Sequence, residues 1–184
     1  DVDALGVDLL SIAGHKLYAP KGIGALYIRA NTPIAPVHLG ANHERGIRPG
    51  TENIPYAVGL GAACVLAKQN LETQRHQTQQ LRDMLFALLK EGVVGIRRNG
   101  HPTDVLPNTL NVSFPGVTGR GLLAECPDLA ASTGSACHEH GETPSAVLIA
   151  MGLSESHALG AVRLSLGKFT TKENVQQAAR SLIQ

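Results

Sequence analysis

The sequence has few aromatic residues, little net charge and no long apolar run. Of its 184 residues, 3% are aromatic, none is tryptophan, and the formal net charge is +1. Balanced charge without a long basic run argues against nucleic acid and anionic membranes as partners, and the scarce aromatics leave few side chains that could stack on bases. No apolar run approaches the roughly 18 residues that span a bilayer, and no secretion signal is visible.

Cysteine is also scarce, with three widely spaced residues in the chain. An odd, scattered set argues against a disulfide framework and favours a reducing compartment, so we expect a cytoplasmic protein. Cys64 and Cys126 lie in apolar segments and are predicted to be buried and inert. Cys137 follows small residues and precedes His138 and His140, which favour its thiolate, so it is predicted to be exposed on a mobile loop.

Hydrophobic periodicity predicts alternating strands and helices, and therefore an α/β architecture. The predicted elements are strands at Gly6–Ile12, Ala25–Ile28, Thr109–Phe114 and Ala161–Leu166, and helices at Pro55–Lys68, Leu71–Glu91 and from a capping box at Thr170 onward. We expect residues 1–72 to be the end of a larger layered domain and residues 73–184 to be a small α+β domain. Because Asp1 stands almost directly before a strand, we expect the chain to be a segment of a longer protein.

A lysine follows the first predicted strand, in the segment Gly14-His15-Lys16. At the end of a buried strand its amine would be partly desolvated and could be neutral near physiological pH. A neutral amine can form a Schiff base with an aldehyde cofactor. An ordinary surface lysine is the alternative that this segment leaves open.

A polar, glycine-bearing loop precedes the first long helix and ends in Arg48-Pro49-Gly50-Thr51. Open backbone amides at Gly50 and the hydroxyl of Thr51, just before a helix, are suited to an anion such as phosphate. The alternative is structural: Thr51 or Asn53 would then serve only as the helix N-cap.

Two further positions have chemistry of their own. Arg163 lies inside an apolar predicted strand, where its charge is costly unless it meets a substrate carboxylate or a structural Asp or Glu. Cys137, His138, Glu139 and His140 are all of metal-ligand type, but they are contiguous, whereas zinc sites usually draw spaced pairs from different segments. We therefore predict no metal site and keep a zinc-bound redox element as an alternative.

Four segments in order resemble the cysteine desulfurases, a branch of the class V aminotransferase-like, fold-type I pyridoxal-phosphate enzymes. The resemblance is spread along essentially the whole chain and rests on Gly14-His15-Lys16 with Pro20-Lys21-Gly22-Ile23-Gly24, on His43-Glu44-Arg45-Gly46 with Arg48 and Gly50-Thr51, on Gly134-Ser135-Ala136-Cys137, and on Arg163-Leu164-Ser165-Leu166-Gly167. It implies the end of the large cofactor-binding domain followed by the small C-terminal domain of that fold.

The resemblance also implies roles for individual residues. Lys16 would bind pyridoxal 5'-phosphate covalently, with His15 near the phosphate. Thr51 would reach the phosphate in a neighbouring subunit, which implies a homodimer. Arg163 would hold the carboxylate of L-cysteine, and Cys137 would take its sulfur as a persulfide. Alanine is then released, and the sulfur passes to an acceptor such as an iron–sulfur scaffold protein.

The chain departs from the cysteine desulfurase pattern in two ways. Three alternative functions are kept beside this interpretation. Many relatives have a hydroxyl three residues before the lysine, where this chain has Ala13. The segments around Cys126 and Cys137 resemble selenocysteine lyases, so that activity is the first alternative. A non-catalytic interaction module is the second and the zinc-bound element the third. Family residues that stack on the cofactor ring lie before the lysine segment, so we expect this segment alone to be a weak or inactive catalyst.

Overall fold

The computed structural model describes residues 1–133 and 143–184, and it divides into two compact units, Asp1–Leu71 and Glu72–Gln184. Helices in the described ranges are α1 (Val2–Leu5), α2 (Ile54–Gly92), α3 (Gly119–Ala124), α4 (Ala146–Ala150), α5 (Glu155–Leu159) and α6 (Lys172–Ile183). The strands are β1 (Leu9–Ala13), β2 (Gly24–Ile28), β3 (Arg97–Arg98), β4 (Thr109–Ser113) and β5 (Ala161–Ser165). The predicted loop position of Cys137 lies outside the described residues.

The first unit is built on an antiparallel hairpin of β1 and β2, in which Leu9 pairs with Ile28 and Ala13 with Gly24. Both predicted strands are present, although β1 begins three residues later than predicted. The prediction that β1 is buried is wrong, since Leu9 is 47% exposed. Two paired strands shield little surface on either face, so within this unit the alternating side chains stay largely accessible.

A single helix of 39 residues, α2, replaces the two helices predicted at Pro55–Lys68 and Leu71–Glu91. No glycine or proline separates the two predicted segments, so nothing in the backbone ends the hydrogen-bond ladder there. The side chain of Asn70 donates to the carbonyl of Leu66 at 2.8 Å, one turn earlier on the helix surface. Among the described residues, no helix combines the length and apolar character that crossing a membrane requires.

The second unit contains a three-stranded antiparallel sheet in the order β3-β4-β5. One face of the sheet packs against the C-terminal part of α2 and against α6. The C-terminal part of α2 contributes an apolar stripe: Leu81, Leu85 and Leu89 are buried in this core, and Met84 and Leu88 are partly buried. Strand and helix residues complete the core: Leu110, Val112, Phe114, Cys126, Val162, Leu164, Leu166, Val175, Ala179 and Leu182.

Apolar residues in the described ranges cover one end of the opposite face of this sheet. A small apolar cluster of Leu148, Leu153 and Ala158 packs there against Ala161 at the start of β5. Farther along the same strand, Arg163 and Ser165 are exposed. Because alternate residues of a strand point to opposite faces, the uncovered end presents polar side chains from every strand that reaches it.

Helix α6 begins with a capping box that starts one residue later than the one predicted at Thr170. The Thr171 hydroxyl accepts from the Asn174 N–H at 3.2 Å, while the Asn174 side chain accepts from the Thr171 N–H at 3.0 Å. Thr170 instead accepts from the Gly167 N–H at 2.9 Å, and so belongs to the preceding turn. The pKa of Glu173 is lowered by its own backbone N–H and then by the Thr171 hydroxyl, so the helix start favours the charged carboxylate.

Candidate active site

The lysine singled out from the sequence lies on a 3-10 turn, Gly14–Leu17, that directly follows β1. Gly14 is buried and fixes this turn with its own backbone. Its N–H donates to the Ile23 carbonyl at 2.9 Å, and its carbonyl accepts from the Ala19 N–H at 3.1 Å. The turn is therefore tied to the start of β2, and the position of the Lys16 backbone follows from the hairpin.

The Lys16 side chain is exposed, so the desolvation expected from a buried strand is absent in this unit. In the part of the chain that the structure describes, its ammonium has no carboxylate partner and no hydrogen-bond acceptor. His15 is exposed beside it on the same turn. A rigid backbone carrying an unengaged amine suits a residue that binds an aldehyde group.

Substitution of Gly14 by alanine is expected to disturb this turn. The added Cβ would lie 2.7 Å from the Ile23 carbonyl oxygen and 2.9 Å from Ile23 Cγ2, distances at which neighbouring atoms must move. Overpacking of this kind costs about 1–3 kcal/mol of unfolding free energy, which urea titration would measure. Gly61→Ala is the control, since a Cβ on that helical glycine meets nothing within 4 Å. Gly61→Ala should leave the unfolding free energy unchanged or raise it by up to about 1 kcal/mol. Equal urea midpoints for the two variants would contradict the tight packing assigned to Gly14.

The loop from His43 to Thr51 is held in shape by its own side chains. Arg48 donates through Nη1 to the carbonyls of Gly50 at 3.1 Å and Thr51 at 3.3 Å. The same atom lies 3.6 Å from the Glu44 carboxylate. The Gly50 N–H donates to Nδ1 of His43 at 3.3 Å, so the prediction that this amide is open to an anion is wrong. These contacts close the loop on itself just before α2.

Three successive residues of this loop have left-handed backbone conformations, with φ of 47° at Glu44, 60° at Arg45 and 79° at Gly46. Such φ values are costly for residues with a Cβ, by about 1–3 kcal/mol each, and are found where the surroundings enforce them. A Cβ at Gly46 would lie 2.7 Å from Oδ1 of Asn42, so this position requires glycine. An enforced backbone shape is typical of binding loops.

Asn53, and not Thr51, has the capping role at the start of α2. Its side chain accepts from the Tyr56 N–H at 3.3 Å. Thr51 is exposed, and its hydroxyl has no hydrogen-bond partner within the described ranges. Asn53 therefore fills the N-cap role that was the alternative for Thr51. The Thr51 hydroxyl is left available to a ligand.

The lysine turn and the His43–Thr51 loop belong to the same unit, and both adjoin the start of α2. The residues after Lys16 pack on the first turns of this helix: a Cβ at Gly59 would lie 3.1 Å from the Pro20 ring, and one at Gly22 would lie 3.5 Å from the Tyr56 ring. Thr51 stands just before that same helix. The two elements predicted to hold a phosphate-bearing cofactor are therefore both fixed relative to α2.

Arg163 lies on β5 in the second unit, where its side chain is exposed between two buried neighbours. Val162 is 0% and Leu164 is 4% exposed, because they face the core. The expected burial of Arg163 is wrong, since strand alternation turns it to the other face. No described residue forms an ion pair with it, so the structural salt bridge is not seen there. The guanidinium is free to bind an anion.

The backbone of Arg163 also anchors a distant segment. The Ser132 N–H donates to the Arg163 carbonyl at 3.2 Å, and the Arg163 N–H donates to the Ser132 carbonyl at 2.6 Å. Ser132 comes five positions before Cys137. On the far side of that segment, α4 contributes Leu148 to the cluster that packs on Ala161 of β5. Both flanks of the cysteine segment are thus attached to the strand that carries Arg163.

The two cysteines in the described ranges differ in their surroundings. Cys126 is buried as predicted, and its thiol donates to the Ser181 carbonyl at 3.2 Å. The prediction that Cys64 is buried is wrong, because it lies on an exposed face of α2. Its apolar neighbours Val65 and Leu66 are likewise more than half exposed. Residues 1–133 and 143–184 contain no cluster of three metal-ligand side chains, and the segment Cys137–His140 lies outside those ranges.

The polar residues that lie beside Arg163 in the sheet were not predicted from the sequence. Asn111 of β4 is paired with Arg163, and Asn99 contacts Asn111 through both backbone and side chain. The alternation of Thr109–Ser113 already assigned Asn111 to the polar face of its strand. The strand register places Asn111 directly opposite Arg163, and the sequence alone does not give that register.

Two solved structures with a similar fold show the structural class to which this chain belongs. The chain superposes on a NifS-like protein with a TM-score of 0.87 and 34% identity, covering 100% of this chain and 47% of that one. It also matches a structure described as SspA in complex with cysteine, with a TM-score of 0.67 and 34% identity over 93% of this chain and 47% of the other. The fold is that of the fold-type I pyridoxal-phosphate enzymes, and the predicted α/β class is confirmed.

The chain belongs to the aminotransferase class-V family, whose model matches residues 1–178. Over its full length it is 40% identical to a mouse cysteine desulfurase, covering 40% of that protein. It is 43% identical to the cysteine desulfurase IscS of Shewanella sp. (strain W3-18-1), covering 46%. The chain therefore spans less than half the length of these curated relatives. The family resemblance is confirmed, and the cofactor of the family is pyridoxal 5'-phosphate.

Proposed function

We propose that this chain is part of a cysteine desulfurase that removes sulfur from L-cysteine, giving L-alanine and a persulfide on Cys137. The observation that carries the proposal is the backbone bridge between Ser132 and Arg163, with hydrogen bonds of 3.2 and 2.6 Å. It attaches the segment leading to a nucleophilic thiol to the residue proposed to bind the substrate carboxylate. Cysteine desulfurase relatives at about 40% identity support the same activity.

Three residues of the first unit would hold the cofactor. Lys16 would bind it covalently from its rigid turn, and His15 would lie beside the phosphate. Thr51 would donate its unengaged hydroxyl to the phosphate in a neighbouring subunit, so the proposal includes a homodimer. The residues present fit this group, because the Lys16 amine and the Thr51 hydroxyl are both exposed and have no partner within the described ranges. Ala13 offers no hydroxyl, so one contact common among relatives is missing.

The residues of the second unit would bind substrate and carry out the sulfur transfer. When bound, pyridoxal phosphate withdraws electrons from the carbon skeleton of the substrate. Arg163 would clamp the α-carboxylate with two parallel hydrogen bonds. The Cys137 thiolate would attack the sulfur of L-cysteine, forming a sulfur–sulfur bond as the carbon–sulfur bond breaks. The carbon then takes up a proton to give alanine, and the step needs no external oxidant or reductant.

The attachment at Ser132 limits how far such a thiol can lie from Arg163. Five residues of fully extended chain span at most about 18 Å. A tether of this length keeps a thiol within reach of a substrate bound at Arg163, and it also allows the thiol to turn outward to an acceptor. The acceptor in this proposal is an iron–sulfur scaffold or another sulfur-accepting protein, in the cytoplasm.

In domain terms, residues 1–72 would be the end of the large cofactor-binding domain, and residues 73–184 would be the small domain that carries the thiol. The division of the chain at Leu71 and Glu72 supports this assignment. α2 runs through the boundary without a break, from Ile54 to Gly92.

Mass spectrometry after turnover tests the proposed function. The complete cofactor-loaded protein, of which this chain is a part, is incubated with L-cysteine, alkylated without reductant and digested. We expect the Cys137 peptide to gain the mass of one sulfur atom, and reductant to remove it. The peptides of Cys64 and Cys126 serve as internal controls and should stay unmodified. Alanine release without extra sulfur on Cys137, or sulfur on all three cysteines alike, would refute the assignment.

A further inference from the structure

A row of polar side chains crosses the face of the β3-β4-β5 sheet that is opposite the core. Asn111 of β4 is the partner of Arg163 on β5, and Ser132 bridges to Arg163 from the other side. Asn99 extends the row beyond β4, since its N–H donates to the Asn111 carbonyl at 2.9 Å. Directly paired residues point to the same face of a sheet, so all four side chains lie on the face opposite the core.

Asn111 and Arg163 occupy the closer kind of cross-strand pair. The neighbouring backbone hydrogen bonds between β4 and β5 run from the Leu166 N–H to the Asn108 carbonyl and from the Phe114 N–H to the Gly160 carbonyl. Hydrogen-bonded and non-hydrogen-bonded pairs alternate along two antiparallel strands. Counted from either of these bonds, Asn111 and Arg163 form a non-hydrogen-bonded pair. Such pairs have Cα atoms about 4.5 Å apart, and their side chains lie side by side.

The side chain of Asn111 is oriented by its buried neighbour Asn99, which is 7% exposed. The Asn99 amide nitrogen donates to Oδ1 of Asn111 at 2.7 Å and to the Ser113 hydroxyl at 2.8 Å. In this arrangement the Asn99 amide nitrogen has two acceptors, while its oxygen has no hydrogen-bond partner among the described residues. Asn111 therefore accepts through its oxygen and turns its NH₂ group away from Asn99.

The NH₂ group of Asn111 donates to no residue in the described ranges, and neither does the Arg163 guanidinium. Two unengaged donor groups thus stand side by side on an accessible face. Since both can only donate, they cannot bond each other, and a shared acceptor with two oxygens satisfies both. We propose that Asn111 is a second donor to the substrate carboxylate held by Arg163, and so a determinant of specificity for α-amino acids. This inference rests on the proposed function.

Kinetics of the cofactor-loaded protein test the role of Asn111. Asn111→Asp keeps the oxygen that Asn99 binds but replaces the donor by a negative charge. We expect it to raise KM for L-cysteine by about 100-fold, and Asn111→Ala by about tenfold, with kcat changed much less. The inhibition constant of cysteamine, which lacks the carboxylate, should stay within about twofold of wild type. Asn70→Asp on the exposed surface of α2 makes the same charge change and should leave KM unaltered.

Each other outcome overturns the inference in a distinct way. An unchanged KM in both Asn111 variants, together with a raised KM in Arg163→Ala, would mean that Arg163 binds the carboxylate alone; the proposed function would stand. A parallel rise in the cysteamine inhibition constant would show that Asn111 only supports the sheet. An unchanged KM in Arg163→Ala would remove both this inference and the proposed substrate site.

Discussion

Lys16→Ala is expected to lower the turnover of L-cysteine by about 10³-fold or more, because it removes the amine proposed to bind the cofactor covalently. The backbone of the turn depends on Gly14, Ile23 and Ala19 and not on the Lys16 side chain, so the variant should fold normally. Far-ultraviolet circular dichroism and thermal unfolding would check this. Alanine release per protein molecule would measure the loss of activity.

The cofactor itself gives a second measurement for Lys16. Borohydride reduction of the loaded wild-type protein should fix the cofactor on the peptide that contains Lys16, and the Lys16→Ala protein should lose its yellow colour on gel filtration. Lys68→Ala, an exposed lysine on α2, is the matched control and should keep both colour and turnover. Cofactor recovered on another lysine, or full activity in Lys16→Ala, would disprove the assignment.

Cys137→Ser is expected to abolish transfer of sulfur to the protein while leaving cofactor binding intact. A hydroxyl is a far weaker nucleophile than a thiolate at neutral pH, so we expect a loss of at least about 10³-fold in the transfer of labelled sulfur from L-cysteine. Retained cofactor absorbance separates this variant from Lys16→Ala. The two substitutions therefore test two different parts of the same site.

The matched control for Cys137 is Cys64→Ser, because the Cys64 thiol is exposed and lies on α2 in the first unit. It should transfer sulfur at the wild-type rate. Equal losses in the two serine variants would point to nonspecific thiol chemistry. Full transfer in Cys137→Ser would assign the acceptor role to another group and contradict the proposed function.

Elements defined by local pattern were predicted well from the sequence. The alternation of Thr109–Ser113 and the apolar stripe around Leu85 are short-range signals, and both match the structure. Lys16 was correctly placed just after the first strand, although the 3-10 turn Gly14–Leu17 that carries it was not predicted. The exposure of Lys16 was not predicted either, since burial depends on which other strands cover β1, and sequence period says nothing about that.

The errors share one physical origin, which is that neighbours in sequence are not neighbours in space. Arg163 and Cys64 both lie among apolar residues along the chain, yet both side chains are exposed. In the strand, alternation separates Arg163 from Val162 and Leu164. On the helix, Cys64 lies on a face without a packing partner in its unit. The pairings of Arg163 with Asn111 and Ser132 depend on strand register, which no local signal specifies.

The bridge between Ser132 and Arg163 has a consequence for how such proteins diversify. A pair of backbone hydrogen bonds fixes the near end of the cysteine segment to β5, and α4 fixes the far end separately. Residues can therefore be added or removed between the two anchors without disturbing the strand, at an entropic cost of about 0.6 kcal/mol for each doubling in length. In the proposed function, such changes in length would alter the distance over which sulfur can be delivered, and with it the range of acceptors, while Arg163 would keep its hold on the amino acid.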